Sequence, residues 1–260
     1  MDFMVCAYGE PREKAFIPYV EKYVAGVELQ NYDRQGVVSG EAWAKILEQH
    51  KSILSVLPGR LAVHGPFAGI EYGYKDHLLN EAVRKRMHMI YEMVCELKPD
   101  TLILHTGCSE TMVRFSLTED WLEAAGKFWR EEIARYAAIG VRVVLENVAE
   151  QSPDSMIELA ECVKNEHFGL CLDIGHANLC SQVPPCQWVK KMGPRLKHVH
   201  LHDNHGQSDQ HLPVGKGSID FDPFFEALNK YVPEVTVSIE VIAEPQAVVE
   251  NVIYITKKYQ

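Results

Sequence analysis

Short runs of consecutive apolar residues alternate with longer stretches in which apolar positions recur every three or four residues. The short runs are Phe3–Tyr8, Gly26–Leu29, Leu61–His64, Thr101–His105, Val141–Glu146, Phe168–Asp173, His198–His202 and Val235–Glu240. Most are continuous and rich in Val, Ile and Leu. That is the pattern of parallel strands covered on both faces. Between them lie helical patterns. Glu41–Leu57 carries Trp43, Ile46, Leu47 and Leu54 on one face, and Tyr74–Leu97 carries Leu78, Leu79, Val83, Met87, Ile90 and Val94. A third helix begins at a capping Thr118 and runs through Trp121, Ala125, Trp129 and Ile133. A fourth has Ser152 as N-cap and Pro153 in its first turn. Weaker patterns cover Pro185–Met192, Phe221–Leu228 and Pro245–Ile255. Strand then helix, eight times over, predicts an α/β fold: one (β/α)8 TIM barrel spanning residues 1–260. Two βαβ half-domains are the competing arrangement, but no linker or low-complexity tract divides the chain.

Composition narrows this little. The chain has 260 residues, close to the usual barrel size of about 250. Its formal charge of −10 does not favour a surface that grips phosphate backbones. Seven cysteines, an odd number without a CxxC pair, indicate free thiols and a cytoplasmic setting. The N-terminus MDFMVCAYGE has no signal-peptide pattern, and no run of 18 apolar residues predicts a membrane span. No membrane partner is expected.

The polar residues change the picture more. Six predicted strands finish in, or contain near their end, a metal-binding residue: His64, His105, Glu146, Asp173, His200 and Glu240. In a parallel barrel the C-terminal strand ends meet on one rim. Carboxylates crowded there need cations to remain ionised. His176, in DIGH, and Asp209 and His211, in DQH, extend the set to nine. Mixed imidazole and carboxylate donors suit Zn, Mn, Fe or Co. Nine donors exceed the needs of a single ion, so two or three would use them.

With these motifs in order, LILHTG, VVLEN, CLDIGHA, HVHLHDN, DQHLPVGKG and SIEVI, the sequence resembles the xylose-isomerase-like TIM barrel superfamily from about Leu61 to Val241. That superfamily includes sugar-phosphate isomerases and epimerases and the endonuclease IV type of AP endonuclease. Resemblance to the AP endonuclease pattern implies a trinuclear zinc cluster held by all nine residues. Resemblance to the epimerase pattern implies one Mn or similar ion on Glu146, Asp173, His200 and Glu240. There Glu146 and Glu240 double as catalytic acid and base. Those epimerases tend to carry an Arg shortly after the metal-binding His. DNHGQSD, residues 203–209, has none.

The expected function is a divalent-metal-dependent isomerase or epimerase acting on a small sugar or sugar phosphate. A multi-zinc phosphodiesterase of the AP endonuclease type is the alternative, and a non-catalytic metal-binding barrel is the third reading. DNA work needs basic and wedge-like rim residues. Phe67, Tyr72, Tyr74, Lys75 and Arg114 are a thin supply, so nucleic acid is the less favoured partner. Homo-oligomerisation stays open. Glu28 and Lys216 are candidates to touch substrate, although a buried Glu and a surface Lys are equally good readings. Asn147, His202 and Asp203 are candidates to orient the ligands. Cys108 and Cys171 read as inert buried thiols, His205 as a solvated loop residue, and Gly215 and Gly217 as turn formers.

Overall fold

The computed structural model describes residues 1–7, 12–20, 22–32, 40–57, 59–67, 69–71 and 76–259. Eight strands follow one another around a closed parallel barrel. They are β1 (Asp2–Ala7), β2 (Gly26–Leu29), β3 (Arg60–His64), β4 (Thr101–His105), β5 (Arg142–Glu146), β6 (Phe168–Asp173), β7 (Leu196–Leu201) and β8 (Thr236–Ile239), and β8 pairs back onto β1. The connecting helices are α1 (Arg12–Phe16), α2 (Glu41–Leu54), α3 (His77–Leu97), α4 (Glu110–Arg114), α5 (Thr118–Ala138), α6 (Asp154–Val163), α7 (Ile174–Cys180), α8 (Pro185–Met192), α9 (Phe221–Tyr231) and α10 (Pro245–Tyr259).

Alternation along each strand sorts its residues into two apolar layers. Outward residues such as Val5, Val63, Leu104, Leu145, Leu172 and Val237 pack beneath the helices in one large core. Inward residues Met4, Ala62, Ile103, Val144 and Cys171 form a separate plug inside the barrel. Two positions further along, the same inward faces of β3, β4, β5 and β6 carry His64, His105, Glu146 and Asp173.

The predicted strands agree with those observed to within two residues. Tyr8, Tyr72, Tyr74 and Lys75 lie outside the described residues. The helix expected from Tyr74 starts at His77, capped by Asp76, whose side chain accepts from the Leu78 and Leu79 N–H groups. Two expected caps are corrected. Leu117, not Thr118, is the N-cap of α5, and Pro153, not Ser152, is that of α6. Ser152 instead donates its hydroxyl to Asp154. The helix expected to reach Leu57 ends at Leu54. Helices α1, α4 and α7 were not anticipated. All seven cysteines are free, and no helix among the described residues is long and apolar enough to cross a membrane.

Candidate metal centre

The barrel rim gathers the predicted ligands. His64, His105, Glu146 and Asp173 are the last residues of β3, β4, β5 and β6. His200 lies on β7 in register with Asp173, and Glu240 follows directly after β8. His176 arrives on the first turn of α7. Asp173 caps that helix, its Oδ1 accepting the His176 N–H at 2.6 Å. One short helix thereby fixes two of the candidates. Asp209 and His211 return over the rim on the loop after β7. An antiparallel bridge between Asp203 and Leu212 closes that loop. His211 adopts φ 48°, a left-handed backbone unusual for so large a residue and frequent at functional sites. Its Nδ1 lies 2.8 Å from the Glu240 carbonyl oxygen.

Glu146 is the hub. Its Oε2 lies 2.9 Å from His64 Nε2 and 3.8 Å from His105 Nε2. Its Oε1 lies 3.1 Å from His200 Nδ1 and 3.5 Å from His176 Nδ1. His200 Nδ1 is also 3.2 Å from Glu240 Oε2 and 3.9 Å from Asp173 Oδ2. On the outer side, Asp209 Oδ2 sits 3.4 Å from His176 Nε2 and 2.8 Å from His211 Nε2. Three sets result: His64, His105 and Glu146; Glu146, Asp173, His200 and Glu240; and His176, Asp209 and His211. In the middle set one donor atom from each residue lies within 4.8 Å of all the others.

The other candidates separate. Asn147 accepts the Asp173 N–H at 2.8 Å and donates to the Asp173 carbonyl at 3.0 Å, and its own carbonyl lies 2.9 Å from His176 Nδ1. It braces two candidates at once. His202 Nε2 lies 3.2 Å from Asp173 Oδ2, and the ring stacks on His211 with centroids 4.1 Å apart. It fits there because a Cβ on Gly175 would sit 1.9 Å from the His202 ring. Asp203 accepts the Gly215 and Gly217 N–H groups at 3.0 and 2.7 Å, so it folds the loop that carries Asp209 and His211. Lys216 is exposed on that turn and is not among the cleft-lining residues. Glu28 is fully buried beneath His200, not at the rim. His198, beside it, is equally buried. Gln30, which sequence reasoning passed over, donates from Nε2 to both Glu28 and Glu240 at 2.9 Å each. Its signal was its spacing: residues 28 and 30 share one strand face. Cys108 and Cys171 are buried, and burial pushes the Cys108 thiol up to about 12.

Charge is concentrated here. Burial pushes the Glu146 carboxyl up, but the charge of His200 and hydrogen bonds from His176, His200 and His64 hold it well below the usual range. Burial is likewise overcome at Asp173, held at about 2 by His176 and His202. Burial pulls His64 and His211 down, yet Glu146 and Asp209 respectively lift each to about 9. His105 falls to about 3, because burial and neighbouring imidazoles outweigh Glu146. Neither buried ring nitrogen of His200 makes a well-oriented hydrogen bond, although carboxylate oxygens surround both. A nitrogen crowded by three carboxylates is where a bound cation would take the place of a proton. The donor set therefore fits a divalent metal such as zinc, manganese, iron or cobalt.

Above these groups opens a cleft of about 250 Å³, with Phe67 and Ile242 as apolar lips. Phe67 stacks on His105, with centroids 5.8 Å apart. A second cavity, about 600 Å³, shares Phe67 and His105 and extends to Arg114 and Cys180. A groove of about 570 Å³ between α3 and α5 holds none of the candidate ligands.

A family model described as xylose isomerase-like TIM barrel matches residues 19–258. The chain belongs to that family. Among curated relatives, an uncharacterized protein MJ1311 of Methanocaldococcus jannaschii is 28% identical over 200 residues, covering 69% of this chain and 64% of its own. A second from the same organism, MJ1614, is 33% identical over 98 residues, covering 35% of this chain and 36% of its own. The chain thus spans less than two thirds of the length of either relative. Solved structures superpose along the whole chain. The TTHB071 protein of Thermus thermophilus, soaked with zinc chloride, has a TM-score of 0.75 at 22% identity, with 100% of both chains covered. A D-tagatose 3-epimerase-like protein has 0.76 at 21%, covering 100% of this chain and 97% of its own. The IOLI protein, solved with a bound zinc atom, has 0.75 at 14%, covering 100% and 99%. At these identities they share the fold.

Proposed function

We propose that this protein is a divalent-metal-dependent isomerase or epimerase of a small sugar or sugar phosphate. One observation carries the reading. Glu146, Asp173, His200 and Glu240 bring four donors within 4.8 Å, and Glu146 and Glu240, on different strand ends, line the cleft above the buried Asp173 and His200. They would hold the ion. When bound, it supplies Lewis-acid polarisation of adjacent substrate oxygens. The two glutamates also serve as acid and base. One takes the proton from the carbon beside the substrate carbonyl. For epimerisation the other returns a proton to the opposite face of that carbon; for isomerisation a proton goes to the neighbouring carbon. Asn147, His202 and Asp203 keep Asp173, His176 and the 209–211 loop in place. Phe67 and Ile242 form an apolar edge against which the sugar ring lies while its hydroxyls face the polar floor. The zinc bound in IOLI, the zinc chloride soak of TTHB071 and the sugar named for the epimerase-like neighbour support metal and substrate of this kind.

The test is incubation of metal-loaded protein in D2O with a panel of ketoses, aldoses and their phosphates. The expected result is deuterium at the carbon beside the carbonyl, with formation of the epimer or isomer. Metal-replete protein that exchanges no proton on any member of the panel would falsify the reading.

A second reading is favoured by the two flanking sets, His64 with His105 and His176 with Asp209 and His211. Each extends the middle set by donors that a single ion leaves unused. Two or three ions would suit phosphoester hydrolysis. Zinc-dependent cleavage of bis-p-nitrophenyl phosphate or of an abasic-site duplex, without sugar turnover, would install this reading in place of the first.

A further inference from the structure

Beneath the rim the barrel interior holds a second polar layer. Glu28, His198 and Ser238 are all fully buried there, beside Cys6. Glu28 Oε1 lies 3.0 Å from His200 Nε2 and accepts from Gln30 Nε2 at 2.9 Å. Its Oε2 lies 3.1 Å from His198 Nε2, which also lies 2.8 Å from the Ser238 hydroxyl. Gln30 Nε2 reaches Glu240 Oε1 as well, at 2.9 Å. One carboxylate with no access to solvent thus touches three side chains. Two of them, His200 and Gln30, lead straight to the candidate ligands.

We propose that Glu28 is a positioning residue that holds His200 with its proton on Nε2, so that Nδ1 presents its lone pair to the space shared with Glu146, Asp173 and Glu240. The role rests on the metal-dependent reading above. Glu28 Oε1 accepts from Gln30, so the imidazole nitrogen that faces the same oxygen carries a proton; Nδ1 faces carboxylates too, and its proton is the one a bound cation would displace. With Nε2 so engaged, Nδ1 is the nitrogen left to offer a lone pair to a bound cation. That atom faces Glu146 at 3.1 Å, Glu240 at 3.2 Å and Asp173 at 3.9 Å, without a well-oriented hydrogen bond. A carboxylate behind an imidazole also raises its basicity as a ligand. Gln30 carries the same constraint sideways. Its amide nitrogen spans Glu28 and Glu240, so the carboxylate that orients the imidazole also orients a proton-transfer group.

No residue of similar size replaces Glu28. Glutamine at this position has one acceptor oxygen in place of two, so it cannot accept from both His200 Nε2 and His198 Nε2. Where its N–H groups face His200, the ring turns its lone pair towards residue 28 and its proton into the ligand space. An apolar residue would leave His198 and Gln30 without a buried acceptor.

The decisive measurement is a long-range 1H–15N correlation spectrum of the zinc-loaded, 15N-labelled full chain. The expected pattern for His200 is a protonated Nε2 and a zinc-shifted Nδ1. Alongside it, zinc affinity is measured by chelator competition for wild type and Glu28→Gln. The variant is expected to bind about 10- to 100-fold more weakly, while its metal-free form unfolds as cooperatively as wild type. Should Glu28→Gln fail to fold, the wild-type spectrum alone decides. Zinc-loaded wild type with His200 protonated on Nδ1, or a folded Glu28→Gln that binds zinc as tightly as wild type, overturns the role of Glu28 and leaves the metal reading standing. Wild type that retains no zinc overturns the metal reading and this role with it.

Discussion

The barrel interior has two halves built from the same strands. In the lower half Met4, Ala62, Ile103, Val144 and Cys171 form an apolar plug, with the buried Glu28, His198 and Ser238 beside it at the same height. The upper half, two residues further along those strands, is charged: His64, His105, Glu146 and Asp173. Along β5 the change from Val144 to Glu146 takes one step of the pleat. The plug gains stability from burial and needs nothing else. The upper layer opposes folding until its charges are matched, because buried carboxylates without cations are costly. Its imidazoles partly match them: His64 and His211 keep protons to about 9. The comparison teaches that the apolar plug serves stability and the charged rim serves chemistry. Alterations in the two halves should therefore have different signatures.

The largest contrast should come from Glu146→Gln. Glu146 faces four histidines, so its loss is expected to empty the middle set and cut solvent-proton exchange by about 10²- to 10⁴-fold. Elemental analysis and the D2O assay read the two effects. Metal content unchanged in this variant would break the assignment of the hub. Chelation of the wild type comes next. At a metal concentration about 1,000 times the dissociation constant, binding contributes roughly 4 kcal/mol, so the melting temperature should drop on chelation. The pH sense follows from the imidazoles. In metal-free protein a proton occupies His64 and His211 up to about 9, and loading must displace it. Metal retention should therefore strengthen as pH rises towards 9 and weaken as it falls, with proton release on loading measurable in dilute buffer. Retention that improves in acid would contradict this. In the plug, Ile103→Ala should cost about 2–5 kcal/mol by cavity formation, with metal content unaltered. Urea unfolding of loaded and chelated Ile103→Ala should show the same metal increment as wild type, provided the halves are independent.

The strand order was more legible than the site. Continuous apolar runs mark parallel strands wherever they fall, so all eight were found to within two residues. Six of the nine candidate ligands stood out because they stand at or beside strand ends, where a barrel converges. What one strand's pattern does not contain is its height relative to its neighbours. Glu28 lies near the end of β2 much as Glu146 ends β5. Yet register pairs it with Cys6 and Ala62, and Ala62 lies one step below His64. The stagger that closes the barrel therefore puts Glu28 under the rim. Gln30 was missed for the same reason. Short helices were missed because they depend on side-chain caps rather than periodicity. Ser109 caps α4 and Asp173 caps α7. Lys216 was drawn towards the site by its place between two glycines. Those glycines instead serve Asp203, which takes up both their N–H groups.

That last distinction gives the smallest expected effect. Gly217 and Lys216 are neighbours on one turn but differ in what surrounds them. A Cβ on Gly217 would approach Asp203 Oδ1 at 2.3 Å and the Asn204 carbonyl oxygen at 2.4 Å. Gly217→Ala must therefore shift the turn, and through the Asp203–Leu212 bridge it disturbs the placement of Asp209 and His211. A cost of about 1–3 kcal/mol is expected, with weaker binding of any metal held by the outer set. Lys216 has an exposed side chain, and its backbone N–H is satisfied by the Pro213 carbonyl whatever residue stands there. Lys216→Ala should change stability by less than about 0.5 kcal/mol and leave KM for a neutral sugar as it was. A rise in KM confined to phosphorylated substrates would show instead that this lysine reaches across the rim to an anionic group, and the turn would then belong to the site.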